Sequence, residues 1–472
     1  MYKTPIIPVT PIYYDNNSMK KVLWHHNPNY TLDYEAICVF CAFGFMLEKD
    51  TYYNEIKVLQ PSTQYNTDEN NCIIKPKEYW NWNYSPIDRK FNDVLDQFSS
   101  ILDASIRNKI HNKSVLLPIS GGIDSRTLFV PIKNKVELKL CSYEFTDGIK
   151  EIRYGQTLAE RYDLPFYAQK IQRGYLWNKL DELVEINGCF TDFTHPRQIA
   201  VINQLKGLGD VILLGHWGDV LFDRQCDSDS ISYDQQLDFL FKKISKPSGL
   251  ELANELWKYW GLDGSFSFYI NNRLDDLYNR INIDNPSARI RAFKSLYWAP
   301  RWTSINLPIF GKLGQILLPY YSDEMCKFIC TVSERHLEGR KIQIEYIKKH
   351  CPEAAQIPWQ KYYPLNLYQH KWFSSPIYYP VRAMRKVKRF LMRELFKYPK
   401  LITRNWELQF LGEKNFLQLK KNLMDRSKFN ELIPQKIIMD YLDKFEADPV
   451  KYAHSLSMLL TLAVFSSNSH QK

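Results

Sequence analysis

The chain has 472 residues, 45% of them hydrophobic and 24% charged. That is an ordinary globular balance, and it excludes a mostly disordered or fibrous chain; roughly three domain-equivalents are expected at this length. Lys and Arg number 62 and Asp and Glu 52, a net charge of +10, which points to an anionic partner only where the charge is clustered.

In chain order, the first 95 residues are rich in Tyr, Asn and Thr. The pattern from Asp33 to Trp80 reads as one helix followed by short strands. The start, Met1-Tyr2-Lys3-Thr4-Pro5, has no apolar stretch and predicts no secretory leader. Cys38-x-x-Cys41 lies in an apolar run with no second pair at zinc-binding spacing, so core packing is expected. From Phe91 to Lys109 the spacing of Val94, Leu95, Phe98, Leu102 and Ile106 predicts a helix. An alternation follows. Strands are predicted at Val115–Ile119, Leu138–Phe145 and Asp210–Leu214, with a helix at Glu151–Asp163. Strands separated by helices predict an α/β fold with a parallel sheet. Pro131 should cut or kink the helix behind the first strand. Beyond about residue 230 the pattern is mainly helical. Cys326 and Cys330 share a helix face, and the nine Cys read as reduced thiols of a cytoplasmic protein.

From Arg382 to Arg404 nine basic residues and one acid give a local net charge of +8. Val381, Met384, Val387, Leu391 and Leu395 fall at helical spacing, so a basic amphipathic helix is expected up to Tyr398-Pro399. Two readings stand: docking on an anionic surface (membrane, acidic carrier or nucleic acid), peripheral at the inner membrane in the first case, or the solvated face of a packed helix. No nucleic-acid module accompanies it, so no specific nucleic-acid partner is expected. Val450 to Phe465 reads as a buried closing helix. The most apolar run, Leu456 to Phe465, is half what a bilayer span needs, so no transmembrane segment is expected.

The strongest local signal is Ser120-Gly121-Gly122-Ile123-Asp124-Ser125, which follows a strand and opens a helix. The glycines let the backbone approach a ligand, and successive N–H groups at a helix N-terminus form an anion cradle. Ser120 and Ser125 add hydroxyls. Asp124 repels phosphate by charge, and makes sense as a Mg²⁺ ligand beside it. The Gly-Lys-Ser/Thr of a Walker A loop is absent. The plain alternative is a glycine turn capping a helix.

This string resembles the pyrophosphate loop (PP-loop) of the N-type ATP pyrophosphatases, and its surroundings resemble the synthetase domain of the asparagine synthetase family. Further segments match in the family's order: Cys141-Ser142-Tyr143-Glu144-Phe145, Glu151 with Ala159, Leu214-Gly215-His216-Trp217-Gly218-Asp219-Val220-Leu221-Phe222, Pro319-Tyr320-Tyr321-Ser322, and Lys341 with Lys361. A weaker likeness over 33–80, at Phe43-Gly44, Leu59-Gln60-Pro61 and Tyr79-Trp80, is to the end of the family's glutaminase domain.

The resemblance implies a truncated, β-rich glutaminase-like remnant over 1–90, an adenine nucleotide α-hydrolase-like PP-loop domain over 91–368, and a basic helical extension over 369–472 packed on it. It implies ATP and Mg²⁺. Ile119, Ser120, Gly121, Gly122, Asp124 and Ser125 would contact ATP, with Leu214 and Gly215, Glu144 at the adenine and Lys341 on pyrophosphate. Asp124 and Asp219 would share Mg²⁺. Lys361 would stabilise charge at the α-phosphate or the tetrahedral intermediate.

Several positions depart from the family. Tyr2 stands where the glutaminase nucleophile would be a Cys, so glutamine hydrolysis is not expected. His216 replaces a Glu that helps deprotonate the attacking amine, and a His can serve as that base near neutral pH. Val220 and Ser322 each replace an acid, which argues against aspartate as the substrate. The expectation is therefore a carbon–nitrogen ligase that adenylates a small-molecule or carrier-borne carboxylate. The amide would form with ammonia or another amine, supplied free or by a partner protein. The layout is similar to asparagine-synthase-related proteins of surface-polysaccharide clusters. The alternatives are a lasso-peptide-type macrolactam cyclase and a catalytically impaired ATP-binding scaffold.

Overall fold

The computed structural model describes residues 2–22, 30–69, 72–146, 148–394 and 409–468. The N-terminal segment folds into two small antiparallel sheets. One joins β1 (Tyr2–Lys3), β5 (Thr63–Thr67) and β6 (Ile73–Glu78). The other joins β2 (Tyr13–Asp15), β3 (Lys21–Val22) and β4 (Ile56–Val58). Between β3 and β4 in the chain comes α1 (Tyr34–Phe43), capped by Asp33, whose carboxylate accepts from Ala36 N–H at 3.0 Å. Ala36 through Phe43 are all buried, so Cys38 and Cys41 are core residues as expected. A helix buried all round needs cover on several sides. It gets this from helix Pro247–Tyr259 and from the closing helix Pro449–Asn468.

The amphipathic α2 (Phe91–Ile110) leads into a five-stranded, fully parallel sheet. Its strands are β7 (Val115–Pro118), β8 (Leu138–Phe145), β9 (Phe166–Ile171), β10 (Val211–Leu213) and β11 (Gln315–Leu317), in the order β11-β10-β7-β8-β9. The fold is therefore α/β. Val115-Leu116-Leu117 and Val211-Ile212-Leu213 are buried throughout, the unbroken apolar runs that a sheet covered on both faces requires. The chain goes outward from β7 to β9, then returns to the other side of β7 with β10. The crevice between the carboxyl ends of β7 and β10 is thus the switch point, where open parallel sheets bind ligands.

The short α3 (Asp124–Phe129) stops before Pro131, as the proline predicts. β9 and β11 were not anticipated. β9 is an edge strand with mixed polarity, and β11 is a three-residue strand inside the helical half. One continuous apolar core runs from Ile6 to Phe465, joining the three sequence segments. Helix Tyr379–Glu394 is described; residues 395–404 of the expected basic helix, with Leu395 and Tyr398-Pro399, lie outside the described residues.

Two buried arginines organise this core. Arg126 is buried and faces inward. Its guanidinium donates to the carbonyls of Ala354, Ile357 and Pro358 at 3.2, 2.8 and 3.1 Å, and burial pushes its pKa down to about 10. Arg291 is paired two-pronged with Glu334, at 2.6 and 3.0 Å, with both side chains almost wholly buried. Removing one partner of such a pair leaves a buried, uncompensated charge. Glu334→Ala should therefore lower unfolding free energy by about 3–5 kcal/mol in urea titrations. Asp88→Asn, which removes the partner of exposed Arg335, should change it by less than about 1 kcal/mol.

Candidate functional site

The loop Ser120–Ser125 leaves β7 at the centre of the sheet. Ile119 N–H donates to Cys141 O at 2.8 Å, and the Ser142 hydroxyl donates back to Ile119 O, so the loop starts from a fixed point on β8. Gly122 N–H donates to Ser120 Oγ at 3.2 Å, and Ser120 N–H to Ser125 Oγ at 3.3 Å. The two serines thus brace the loop itself. A Cβ on Gly121 would lie 2.6 Å from Gln360 Cβ and 2.7 Å from the Tyr154 ring. The same glycine's carbonyl accepts from Gln360 N–H at 3.0 Å, so a distant segment is clamped onto the loop.

Asp124 is the hub. Its Oδ1 accepts from Arg340 and, at 3.0 Å, from Gln343 Nε2. Its carbonyl accepts from the Tyr320 hydroxyl at 3.1 Å, and Gln343 also donates to Tyr320 at 3.0 Å. Burial raises the Asp124 carboxyl pKa and Asp219 pushes the same way, while Arg340 and Gln343 pull it down. Gly218 has no room for a side chain: a Cβ there would overlap the Asp124 carboxylate. Two non-glycine residues beside Asp124 hold left-handed backbone, Trp217 at φ 75° and Arg340 at φ 65°. Such conformations cost about 1–3 kcal/mol each and persist only where surrounding contacts enforce them. Asp223 enforces the second by accepting from Gly339 N–H at 2.9 Å.

Two connected compartments open at this switch point. The smaller, about 200 Å³, is bordered by Ile119, Ser120, Asp124, Ser125, Leu214 and Gly215. The larger, about 480 Å³, is bordered by Asp219, Lys243 and Lys294 and walled by Trp217, Trp298, Trp302 and Phe310. Asp124, Tyr143, Arg197, Gly215, His216 and Phe310 border both. A volume of this size lies within the usual range of ligand pockets.

No family model matches the chain, and no curated protein does.

Lys294, Trp298 and Trp302 come from a π-helical stretch, Lys294–Thr303, that contains Pro300; wide turns of this kind often mark functional sites. Lys294 Nζ donates to Gln225 Oε1 at 2.6 Å, and burial pushes its pKa down to about 8. Trp298 Nε1 and His216 Nδ1 are buried with no hydrogen-bond partner among the described residues. Burial, helped by His195, pushes the His216 pKa down to about 4. The ring is therefore neutral near pH 7 and too weak a base to hold a proton there, contrary to the sequence expectation of a base poised near neutrality.

Three further expected site residues are placed differently. Glu144 is turned to the start of α4 (Ile152–Tyr162), where its Oε2 accepts from Ile152 N–H at 3.0 Å. It borders neither compartment, whereas its neighbour Tyr143 borders both. Lys341 is exposed and lies 4.4 Å over the Phe91 ring; the cation that reaches the loop is Arg340, one residue earlier. Lys361 is exposed on the turn Gln360–Tyr362, next to the residue clamped on Gly121; burial raises the Asp223 carboxyl, and Arg340 and then Lys361 pull it part of the way back. Val220 is buried, with its carbonyl accepting from Gln225 and Arg291. Ser322 caps helix Asp323–Cys330.

Sequence reasoning missed Arg197, Arg340, Lys294, Trp298 and Trp302. Only the last three carried a signal, a shared spacing of four along one stretch.

The depressed His216 has a stability consequence. Unfolded His titrates near 6.5, so below that pH the unfolded chain takes up a proton that the folded chain refuses. Stability should fall as pH drops from about 6.5 to about 4. His195, pushed down to about 3, acts in the same direction. The urea midpoint should drop between pH 7 and pH 5, and by less in His216→Asn.

Proposed function

We propose that the chain is an ATP-dependent ligase of the asparagine synthetase type, built on a PP-loop domain. It would adenylate a carboxylate, release diphosphate, and form an amide with ammonia or another amine, without hydrolysing glutamine itself. The observation that carries this reading is the junction at Asp124, Gly215 and His216. There a glycine loop suited to phosphate opens directly into a cation-bordered, tryptophan-walled compartment.

A carboxylate is a poor electrophile, and transfer of AMP makes it a mixed anhydride with a good leaving group. The protein's task is then positioning and charge stabilisation. The loop N–H groups that Ser120 and Ser125 leave free, with those at the start of α3, would cradle phosphate oxygens. Lys294, Lys243 and Arg197 would hold the anionic acceptor in the larger compartment, its carboxylate directed to the α-phosphate at the junction. The compartment's volume and tryptophan walls favour a bulky carboxylate, free or carrier-borne, over a small amino acid. Neutral His216 would hydrogen-bond the incoming amine.

Among the described residues no group of three or more His, Cys, Asp or Glu forms a metal site. Magnesium bound with a nucleotide needs only one or two carboxylates beside the phosphates. Asp124 Oδ2 has no protein partner among the described residues, and Asp219 lies close enough to raise the Asp124 pKa. These two fit a magnesium ion, which would supply positive charge against the phosphates.

The Arg340–Asp124 pair also favours a second reading, an ATP-binding protein whose expected metal ligand is already neutralised. Carboxylate-dependent exchange of labelled diphosphate into ATP separates the two. Under the ligase reading exchange occurs, and Asp124→Ala lowers it by about 100-fold or more. Calorimetric ATP binding with no exchange across a broad carboxylate panel would sink the ligase reading. Exchange supported only by a precursor peptide would point to a cyclase.

Lys294 supplies the pH signature. Its charge fades as pH rises through about 8, so KM for the carboxylate should rise above that pH. Lys294→Met should raise KM at pH 7 and remove this dependence.

A further inference from the structure

Helix Tyr379–Glu394 is packed the wrong way round for a globular protein. Helical spacing puts Val381, Met384, Val387 and Leu391 on one side, interrupted by Lys388, and Arg382, Arg385, Lys386, Arg389 and Arg393 on the other. The apolar side of a surface helix ordinarily faces the core. Here a basic residue faces inward. The Arg385 guanidinium donates to Tyr363 O and lies 5.5 Å over the Phe373 ring. Arg382 donates to Ser375 O at 3.5 Å.

Among the described residues most of the apolar side is uncovered, Val381 being half-buried. Met384 is 65% exposed, Val387 54%, and Ile377, two residues before the helix, 83%. Tyr379, under the Arg382 guanidinium, and Phe390 are exposed at the border with the basic side. A contiguous exposed apolar patch rimmed by charge marks an interaction surface.

The covering surface must be apolar where Met384 and Val387 enter it and negative where the basic residues flank it. An anionic lipid bilayer is both: it takes amphipathic helices in its plane, and each nearby Lys or Arg adds attraction. Tyr379 supplies a ring with an apolar body and a polar tip, suited to the headgroup boundary. Symmetric pairing with a second copy would instead set two strongly basic helices against each other.

We propose that helix Tyr379–Glu394 docks the protein on an anionic membrane surface, apolar side down. The inference is independent of the ligase reading.

Sedimentation of the full chain with phosphatidylglycerol/phosphatidylcholine vesicles tests it. Wild type should pellet with the mixed vesicles and much less with pure phosphatidylcholine. The double variant Met384→Glu/Val387→Glu should partition about tenfold less or weaker still, with an unchanged melting temperature. Lys386→Glu, which leaves the apolar side intact, should lower partitioning about fivefold or more. The proposal fails if wild type ignores anionic vesicles, or if the double variant pellets like wild type. It also fails if light scattering shows a dimer that the double variant dissolves while neither form binds lipid.

Discussion

The ion pair of Arg291 with Glu334 is the constraint from which the cleft is built. Buried charges of this kind are tolerable only when every remaining donor and acceptor finds a partner. Here the search for partners shapes the site. Arg291 donates to the carbonyls of Val220 and Asp223 at 3.2 and 3.0 Å. Glu334 accepts from the Ser287 hydroxyl at 2.6 Å, and Ser287 accepts from Gln225 N–H at 2.9 Å. Gln225 holds Lys294. The segment after β10 is thus tied down at Val220, Asp223 and Gln225. Asp223 in turn fixes the Gly339–Arg340 turn, and Arg340 reaches Asp124. A satisfied polar net in a low-dielectric interior is stiff, and the cleft residues sit at its edge.

This arrangement accounts for the two strained residues at the site. Trp217 and Arg340 flank Asp124 in left-handed backbone. Trp217 is held by its indole N–H, which donates to Ser295 Oγ at 3.0 Å, and Arg340 by Gly339 and Gln343. The Trp217 carbonyl also accepts from Val220 and Leu221 N–H at 3.2 and 3.1 Å, so the strain is stored rather than relaxed.

What could be read in the sequence follows the same physics. Unbroken apolar runs and a glycine pair after a strand are local signals, and they located β7, β8, β10 and the loop. Burial periodicity located α2, and Pro131 marked the end of α3. Spacing carries no information about a single positive φ. For that reason Lys341 was expected at the loop while Arg340, its neighbour, occupies the place. Glu144 was expected at the cleft, but the unsatisfied N–H groups at the start of α4 claim its carboxylate. His216 was expected to titrate near neutrality, and only its burial, invisible in sequence, lowers it. The basic helix was legible as amphipathic, but the direction in which it faces is set by tertiary contacts at Tyr363 and Ser375.

The packing of α1 also governs the order in which the molecule can be completed. His454, on the closing helix, lies 3.0 Å from the carbonyl of Cys41 across 413 residues of chain. At about 5–20 residues per second, a ribosome needs on the order of 20–80 s to make that intervening stretch. Throughout that interval α1, apolar on nearly every side, lacks its last neighbour. Helix Pro247–Tyr259 covers α1 part-way through that interval, but the side that takes the closing helix stays bare until His454 is made, and the nascent chain must be kept from aggregating through it.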